Sequence, residues 1–382
     1  MLNNKIIIFT DWYVPGNKAG GPIQSVYNMA QLLSKSFDVK IVTRNKDYQS
    51  ATPYQNINFD TWQTIETNHS VLYLSEQQVN FKRIKTLVKE NKGNILFING
   101  LFSFYFSFLP LIFSLVFNCK KTFVAVRGML HQSALSVKPS KKYLFLAFAR
   151  GFGLYKSCTL ISSSINETKE IINVLGPKVK VQEIANIPLL INELYFNKKE
   201  FKSQNHELRV LFLGRISQEK NPITLLKALN LFEKPCNVTF CGSQNNLDYF
   251  NTFKSLFDNL PNHIQKTYIQ ELPHEQIKSL FLETDVMVLP SLGENFGHAI
   301  FESLAFSTPV IVGNNTIWNH LEEQKIGFEI EPLSHLQLLE KLNLISDFTQ
   351  SQYEDYQNNA FQKALNFYHS NNFEENYNKL FS

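Results

Sequence analysis

Four ionisable residues stand at spacings that suit phosphate and hydroxyl chemistry. Glu294 and Glu302 have seven residues between them in PSLGENFGHAIFESLAFSTPVIVG (290–313), and Arg215 and Lys220 have four between them in GRISQEKNP (214–222). An acid beside a helix amino terminus reaches ligand hydroxyls while the unpaired N–H groups and positive dipole end of the helix hold an anion. Arg supplies a planar fork and Lys a point charge, together suited to a ligand carrying phosphate charge. A glycosidase would set two carboxylates across one scissile bond. Glu302 instead lies about 7–8 Å along a helix that starts near Gly297, a spacing that fits two separated hydroxylated parts of one ligand. There is no DxD triplet, no His/Asp/Glu cluster at metal spacing, no GxSxG and no Walker A loop, so no bound metal is expected.

The elements that must position these residues are short apolar runs tied to Pro and Gly. DVMVLP and PVIVG read as strands on either side of a helix that begins near Gly297, a βαβ unit. The strand LRVLFLG ends at Gly214, which puts Arg215 and Lys220 in the loop before the next helix. Both loops then leave the carboxyl edge of one parallel sheet, where open α/β folds bind ligands. Near the amino terminus KIIIFT is a strand, DWYVPGNKAGG a glycine-bearing loop and PIQSVYNMAQLL a helix with Pro22 at its start. Gly20 and Gly21 would allow close backbone approach to a phosphate or sugar. TFVAVR ends a further strand at Arg127–Gly128, making Arg127 and His131 candidates for the acceptor side of a cleft.

At 382 residues the chain predicts more than one core. Strands and helices alternate through two successive doubly wound α/β halves facing each other across a cleft. The predicted divisions are a first domain over 1–188, a linker over 189–207, a second domain over 208–345, and terminal helices over 346–382. Residues 45–80 are polar and weakly patterned, and TIWNHLEEQ (316–324) reads as a short helix. A net charge of +4 without a basic, aromatic-interleaved helix excludes a nucleic-acid partner. Cys119, Cys158, Cys236 and Cys241 form no CxxC pair, as expected of reduced thiols in the cytoplasm. Residues 101–117 are long and apolar. Gly100, Pro110 and the serines favour a buried crossover helix bent at Pro110 over a membrane span, with a helix resting on a membrane surface as the alternative.

Taken together, these strings resemble retaining glycosyltransferases of family 4, with the GT-B fold. PSLGENFGHAIFESLAFSTPVIV is similar to the family's donor-site signature, GRISQEKNPITLLKAL to its Arg/Lys loop, and DWYVPGNKAGGPIQSVYNMAQLL to its amino-terminal glycine loop. RGML and ISSSINETKEI resemble its acceptor-domain landmarks. One departure is Ser307, where the family carries a glycine at the end of the helix. The resemblance implies that Glu294 binds donor-sugar hydroxyls with help from the backbone N–H groups of Asn295, Phe296 and Gly297. Glu302 would bind the ribose, Arg215 and Lys220 would neutralise the departing diphosphate, and the Gly20–Gly21 loop would close over it. Expected partners are a nucleotide-diphosphate sugar and a glycan or lipid-linked glycan acceptor, without a cofactor. The implied setting is polysaccharide or lipopolysaccharide synthesis at the inner face of the cell membrane, with the first domain touching that membrane. Alternatives are a nucleotide-sugar epimerase and a nucleotide-binding homologue without turnover.

Overall fold

A computed structural model describes residues 4–135, 139–189, 195–196, 198–201, 207–244, 246–272 and 274–381. The chain divides into two compact units, residues 1–187 with 371–382, and residues 188–370.

In the first unit the elements are β1 (Lys5–Phe9), α1 (Gly21–Leu33), β2 (Asp38–Arg44), β3 (Trp62–Glu66), β4 (His69–Leu74), α2 (Phe81–Glu90) and β5 (Ile95–Asn99). A π-helical turn (Phe104–Phe108) runs into α3 (Leu109–Val116), followed by β6 (Lys121–Ala125), α4 (Gln132–Leu135), α5 (Pro139–Gly151), β7 (Thr159–Ser162), α6 (Ile165–Leu175) and β8 (Lys180–Glu183). The eight strands lie in the order β3-β4-β2-β1-β5-β6-β7-β8, parallel throughout except for β3, which runs antiparallel to β4 at the edge. Strands covered on both faces read as unbroken apolar runs, and Ile6 to Phe9 of β1 are fully buried.

Residues 45–80 hold two strands that the weak patterning concealed. HSVLYL forms β4, paired in register with β2 from Val39↔His69 to Arg44↔Leu74. Its signal is hidden because a buried histidine opens the strand: His69 is fully buried with Nε2 2.9 Å from the Tyr13 hydroxyl. The segment 101–117 is largely core, with Phe106, Leu109, Leu111 and Phe113 buried. The helix changes from π to α immediately before Pro110, where a bend is expected. Pro110 stands in the first turn of α3, where a missing N–H is tolerated.

The second unit contains β9 (Leu208–Leu213), α7 (Pro222–Leu229), β10 (Cys236–Cys241), α8 (Leu247–Asp258), β11 (Ile264–Ile269), α9 (His274–Leu282), β12 (Val286–Leu289), α10 (His298–Ala305), β13 (Val310–Gly313), β14 (Gly327–Ile330), α11 (His335–Ser346) and α12 (Gln350–Ser370). Its six strands are all parallel, in the order β11-β10-β9-β12-β13-β14. The order doubles back beside β9, so the β9 and β12 loops leave the same carboxyl edge from neighbouring strands. Residues 316–324 are not helical. Trp318 is instead buried there, its indole N–H donating to the Phe296 carbonyl at 2.6 Å, and Leu321 is fully buried.

Of the segment read as a linker, 190–194, 197 and 202–206 lie outside the described residues. Leu189, Phe201 and Lys199 are buried in the second unit. The terminal helices divide at Asn371. α12 contributes Tyr353, Ala360 and Ala364 to the second unit's core, while α13 (Phe373–Phe381) belongs to the first. There Phe381 packs edge-on against Phe37, Phe97 and Phe123.

Candidate functional site

Lys220 and Glu294 meet. Lys220 Nζ lies 2.6 Å from Glu294 Oε1, with side-chain exposures of 17% and 8%. Lys220 comes from the loop between β9 and α7, Glu294 from the loop between β12 and α10, and the backbone joins the two loops as well. Leu292 N–H donates to the Glu219 carbonyl at 2.8 Å, and Glu294 N–H is held separately by the carbonyl of Asn315, in the loop after β13, at 3.0 Å. A half-buried ion pair held by two hydrogen-bonded loops is pre-positioned, which is what charge stabilisation in a polar reaction requires.

Asn221 fixes this arrangement, and the motif reading passed over it. Its backbone is left-handed, φ 54°, and its side-chain amide donates to Thr224 Oγ1 at 2.8 Å, to the Pro290 carbonyl at 3.2 Å and to the Pro332 carbonyl at 2.6 Å. One buried amide thus ties the Lys220 loop to the Glu294 loop. The available signal was the Asn–Pro pair at 221–222, a turn marker whose Asn tolerates the left-handed region. Close backbone packing holds the same edge. A Cβ on Gly242 would fall 2.0 Å from the Gly214 carbonyl oxygen, and one on Gly313 2.2 Å from that of Ser291.

Arg215 lies in the first of these loops, with Nη2 3.5 Å from Glu219 Oε2. Gly297 is the N-cap of α10 at φ 78°, a conformation that suits glycine and opens the helix amino terminus. The Phe296 ring is buried against His298, Phe301, Trp318 and Phe367, which leaves backbone rather than side chain for a ligand. Asn295 directly follows Glu294 in the loop, and Glu302 is buried in the second turn of α10. At the far end of that helix Ser307 adopts φ 57°, the left-handed turn a glycine would favour, and is fully buried.

The remaining candidates lie in the first unit. Gly20 caps α1 with φ 69° and ψ −137°, and nothing lies within 4 Å of the place a Cβ would take. Its loop is pinned by Asp47, whose carboxylate accepts from Asn17 N–H at 2.7 Å and Lys18 N–H at 3.0 Å. Gly21 is the first residue of α1. Arg127, at φ 56°, donates from Nε to Asn99 Oδ1 at 2.9 Å and from Nη1 to Asn186 Oδ1, while Asn99 donates to Thr10 Oγ1 at 3.2 Å. Its guanidinium therefore laces strand ends together, and burial pulls its pKa down. His131 is exposed, with Nε2 3.8 Å from Glu170. Among the described residues no three His, Cys, Asp or Glu side chains could hold one metal ion, and no helix is long and apolar enough to cross a membrane.

Two parallel sheets of this topology define the GT-B fold class. Sucrose-phosphate synthase from Thermosynechococcus elongatus superposes with a TM-score of 0.74 at 15% identity, covering 99% of this chain and 98% of that one. HepE from Anabaena, solved in complex with UDP and glucose, gives 0.68 at 14% identity, covering 95% of each chain. Residues 195–363 match the family model described as glycosyl transferases group 1. An uncharacterized glycosyltransferase of Methanocaldococcus jannaschii is 27% identical over 42% of this chain and 43% of its own length. A 41.2 kDa protein in the cps region of Klebsiella pneumoniae is 24% identical over 60% of this chain and 63% of its own length. The chain thus spans less than two thirds of the length of these two curated relatives.

Proposed function

We propose that the protein is a retaining, metal-independent glycosyltransferase that moves a sugar from a nucleotide-diphosphate sugar to a glycan or lipid-linked glycan acceptor in surface-polysaccharide synthesis. The observation that carries this is the Lys220–Glu294 contact of 2.6 Å beside the open amino terminus of α10. The match to the group 1 family and the likeness to a fold solved with UDP and glucose support it.

In this reading the bond from the anomeric carbon to the β-phosphate oxygen breaks, and a bond to the acceptor hydroxyl oxygen forms on the same face. The acceptor proton passes to the departing phosphate. No protein nucleophile is needed; the chain supplies position and charge. Lys220 and Arg215 offset the growing negative charge on the diphosphate. Glu294 holds the sugar hydroxyls while the N–H groups of Asn295 to Gly297 aim at the same ligand. Glu302, one turn deeper in α10, accepts from the ribose hydroxyls.

The test is sugar release and transfer measured against a panel of UDP-, GDP- and ADP-sugars, with the product's anomeric configuration read by NMR. Turnover of one donor with retained configuration supports the reading. Inverted product, or a donor converted to its epimer without release of nucleoside diphosphate, would refute it.

A further inference from the structure

The loop after β1 carries two side chains that the framework leaves half used. Asp11, its side chain 15% exposed, takes all its donors on one oxygen: Arg44 Nε at 2.9 Å, Arg44 Nη2 at 2.8 Å and Ser103 Oγ at 2.9 Å meet Oδ1. Among the described residues nothing donates to Oδ2, and that oxygen is not enclosed. Structural carboxylates of this fold use both oxygens. Asp285 accepts from Arg209 on each, and Glu167 accepts from Gly128 N–H on one and from Ser163 on the other. Trp12 shows the same contrast. It is half-buried, with its ring edge-on to that of Tyr48 at 5.0 Å, and its indole N–H finds no acceptor among the described residues. Trp318, by comparison, is 3% exposed and its N–H is paired.

Both side chains lie where a sheet of this kind meets a ligand. The order β2-β1-β5 makes β1 the strand from which the chain winds both ways, and open α/β sheets bind ligands at the carboxyl edge of such a switch point. Asp11 stands two residues beyond β1, Arg44 at the end of β2 and Ser103 in the loop after β5. The loop is fixed before any ligand arrives. The Tyr54 and Tyr73 hydroxyls donate to the Tyr13 and Val14 carbonyls at 3.2 and 2.7 Å, and Asp47 pins the stretch that follows. Such preorganisation lowers the cost of binding. An open carboxylate oxygen accepts from hydroxyls. An indole offers its negative face to the C–H bonds of a sugar ring and its N–H to an oxygen. An anionic ligand would be repelled by Asp11 Oδ2, with the Arg44 fork already engaged.

We infer that Asp11 and Trp12 form a saccharide subsite for the acceptor. Oδ2 accepts from a hydroxyl of an uncharged sugar ring, and the apolar face of that ring lies on the indole. Arg44 and Tyr48 hold the two side chains in place. The inference rests on the glycosyl-transfer reading and specifies its acceptor, but its test needs no donor, so the two fail separately.

Saturation-transfer NMR would be recorded on the full chain with the methyl glycosides of glucose, galactose, mannose and glucuronic acid, and with glycerol as a polyol without a ring. At least one neutral glycoside should take up saturation, most strongly at the hydrogens of one ring face, and the glucuronide and glycerol should take up less. Its affinity should fall about tenfold or more in Trp12→Ala and in Asp11→Asn, with Trp12→Phe recovering part. Trp62→Ala, which removes an exposed indole on β3, should bind as wild type does. Each variant is titrated below its own melting midpoint, and the Trp12 pair decides the matter if Asp11→Asn melts early. Calorimetric binding of UDP, GDP and ADP should be the same in wild type and these variants. A chain that binds glycosides in this pattern but no nucleotide would keep the subsite and sink the transfer reading. Neutral glycosides that take up no more than glycerol, a glucuronide that binds as tightly as they do, or Trp12→Ala binding as wild type does would overturn the inference. So would variants that lose nucleotide binding along with the sugar.

Discussion

Removing Lys220 should separate structure from chemistry at the site. Lys220→Met keeps the apolar stem but leaves the Glu294 carboxylate, 8% exposed, without the ammonium 2.6 Å away. Breaking a fully buried pair costs about 3–5 kcal/mol and an exposed one about 1 kcal/mol or less. This pair lies between those limits, so about 2 kcal/mol is expected. In a unit the size of residues 188–370 that is a fall of about 4–8 °C in its melting midpoint. Glu294→Gln added to Lys220→Met removes the orphaned charge and should restore most of the midpoint. Transfer should follow another course. Loss of one preorganised charge at a leaving group costs about 100- to 1,000-fold in kcat, and the double variant should remain that slow while its melting recovers. The assay pairs calorimetry with steady-state release of nucleoside diphosphate on the same preparations. If activity returns together with stability, the pair is only a structural clasp and the diphosphate role is refuted.

Two further outcomes follow from other parts of the second unit. Asn221→Ala removes three side-chain hydrogen bonds and a residue suited to φ 54°. It should destabilise by about 2–3 kcal/mol in denaturant unfolding and reduce turnover by loosening the Lys220 loop, and Asn221→Gly should recover the backbone part alone. Buried Lys199 donates to the Thr284 carbonyl and, at 2.6 Å, to Thr308 Oγ1, and burial lowers its pKa to about 7. With the folded value below the unfolded one, the unfolded chain binds the extra proton above pH 7, so this residue makes stability rise with pH by up to about 1.4 kcal/mol per unit. The buried cysteines, whose pKa values are raised, oppose that trend at higher pH. Between pH 7 and 8.5 the wild type should therefore gain stability relative to Lys199→Met, as read by chemical denaturation.

The sequence made the loops legible and left the framework around them partly hidden. Strand–loop–helix patterns located Arg215, Lys220 and Glu294 because Gly and Pro punctuate those loops and apolar runs flank them. The Lys220–Glu294 contact itself joins residues 74 positions apart in the chain, a pairing that local pattern alone cannot give. β4 was missed because a buried histidine, His69, opens it. Residues 316–324 carry helical spacing, yet Trp318 leaves that geometry to cover Phe296, a tertiary demand that overrides local propensity. The segment 101–117 packs largely into the core, as Gly100, Pro110 and the serines predict, whereas the exposed apolar face of α5 had no such signal. The longer apolar run is buried, and the shorter one, with its lysines, faces out. Hydrophobicity along the chain does not say which face of a helix is covered.

The most direct measurement is calorimetric titration of UDP, GDP and ADP into the wild-type chain, Lys220→Met and Glu302→Gln. At least one nucleotide should bind the wild type, weaken about tenfold or more without Lys220, and weaken again without the Glu302 carboxylate, which the proposed function sets against the ribose. Three nucleotides that fail to bind the wild type, or variants that bind as tightly as it does, would contradict the donor site assigned to α10 and the two loops beside it.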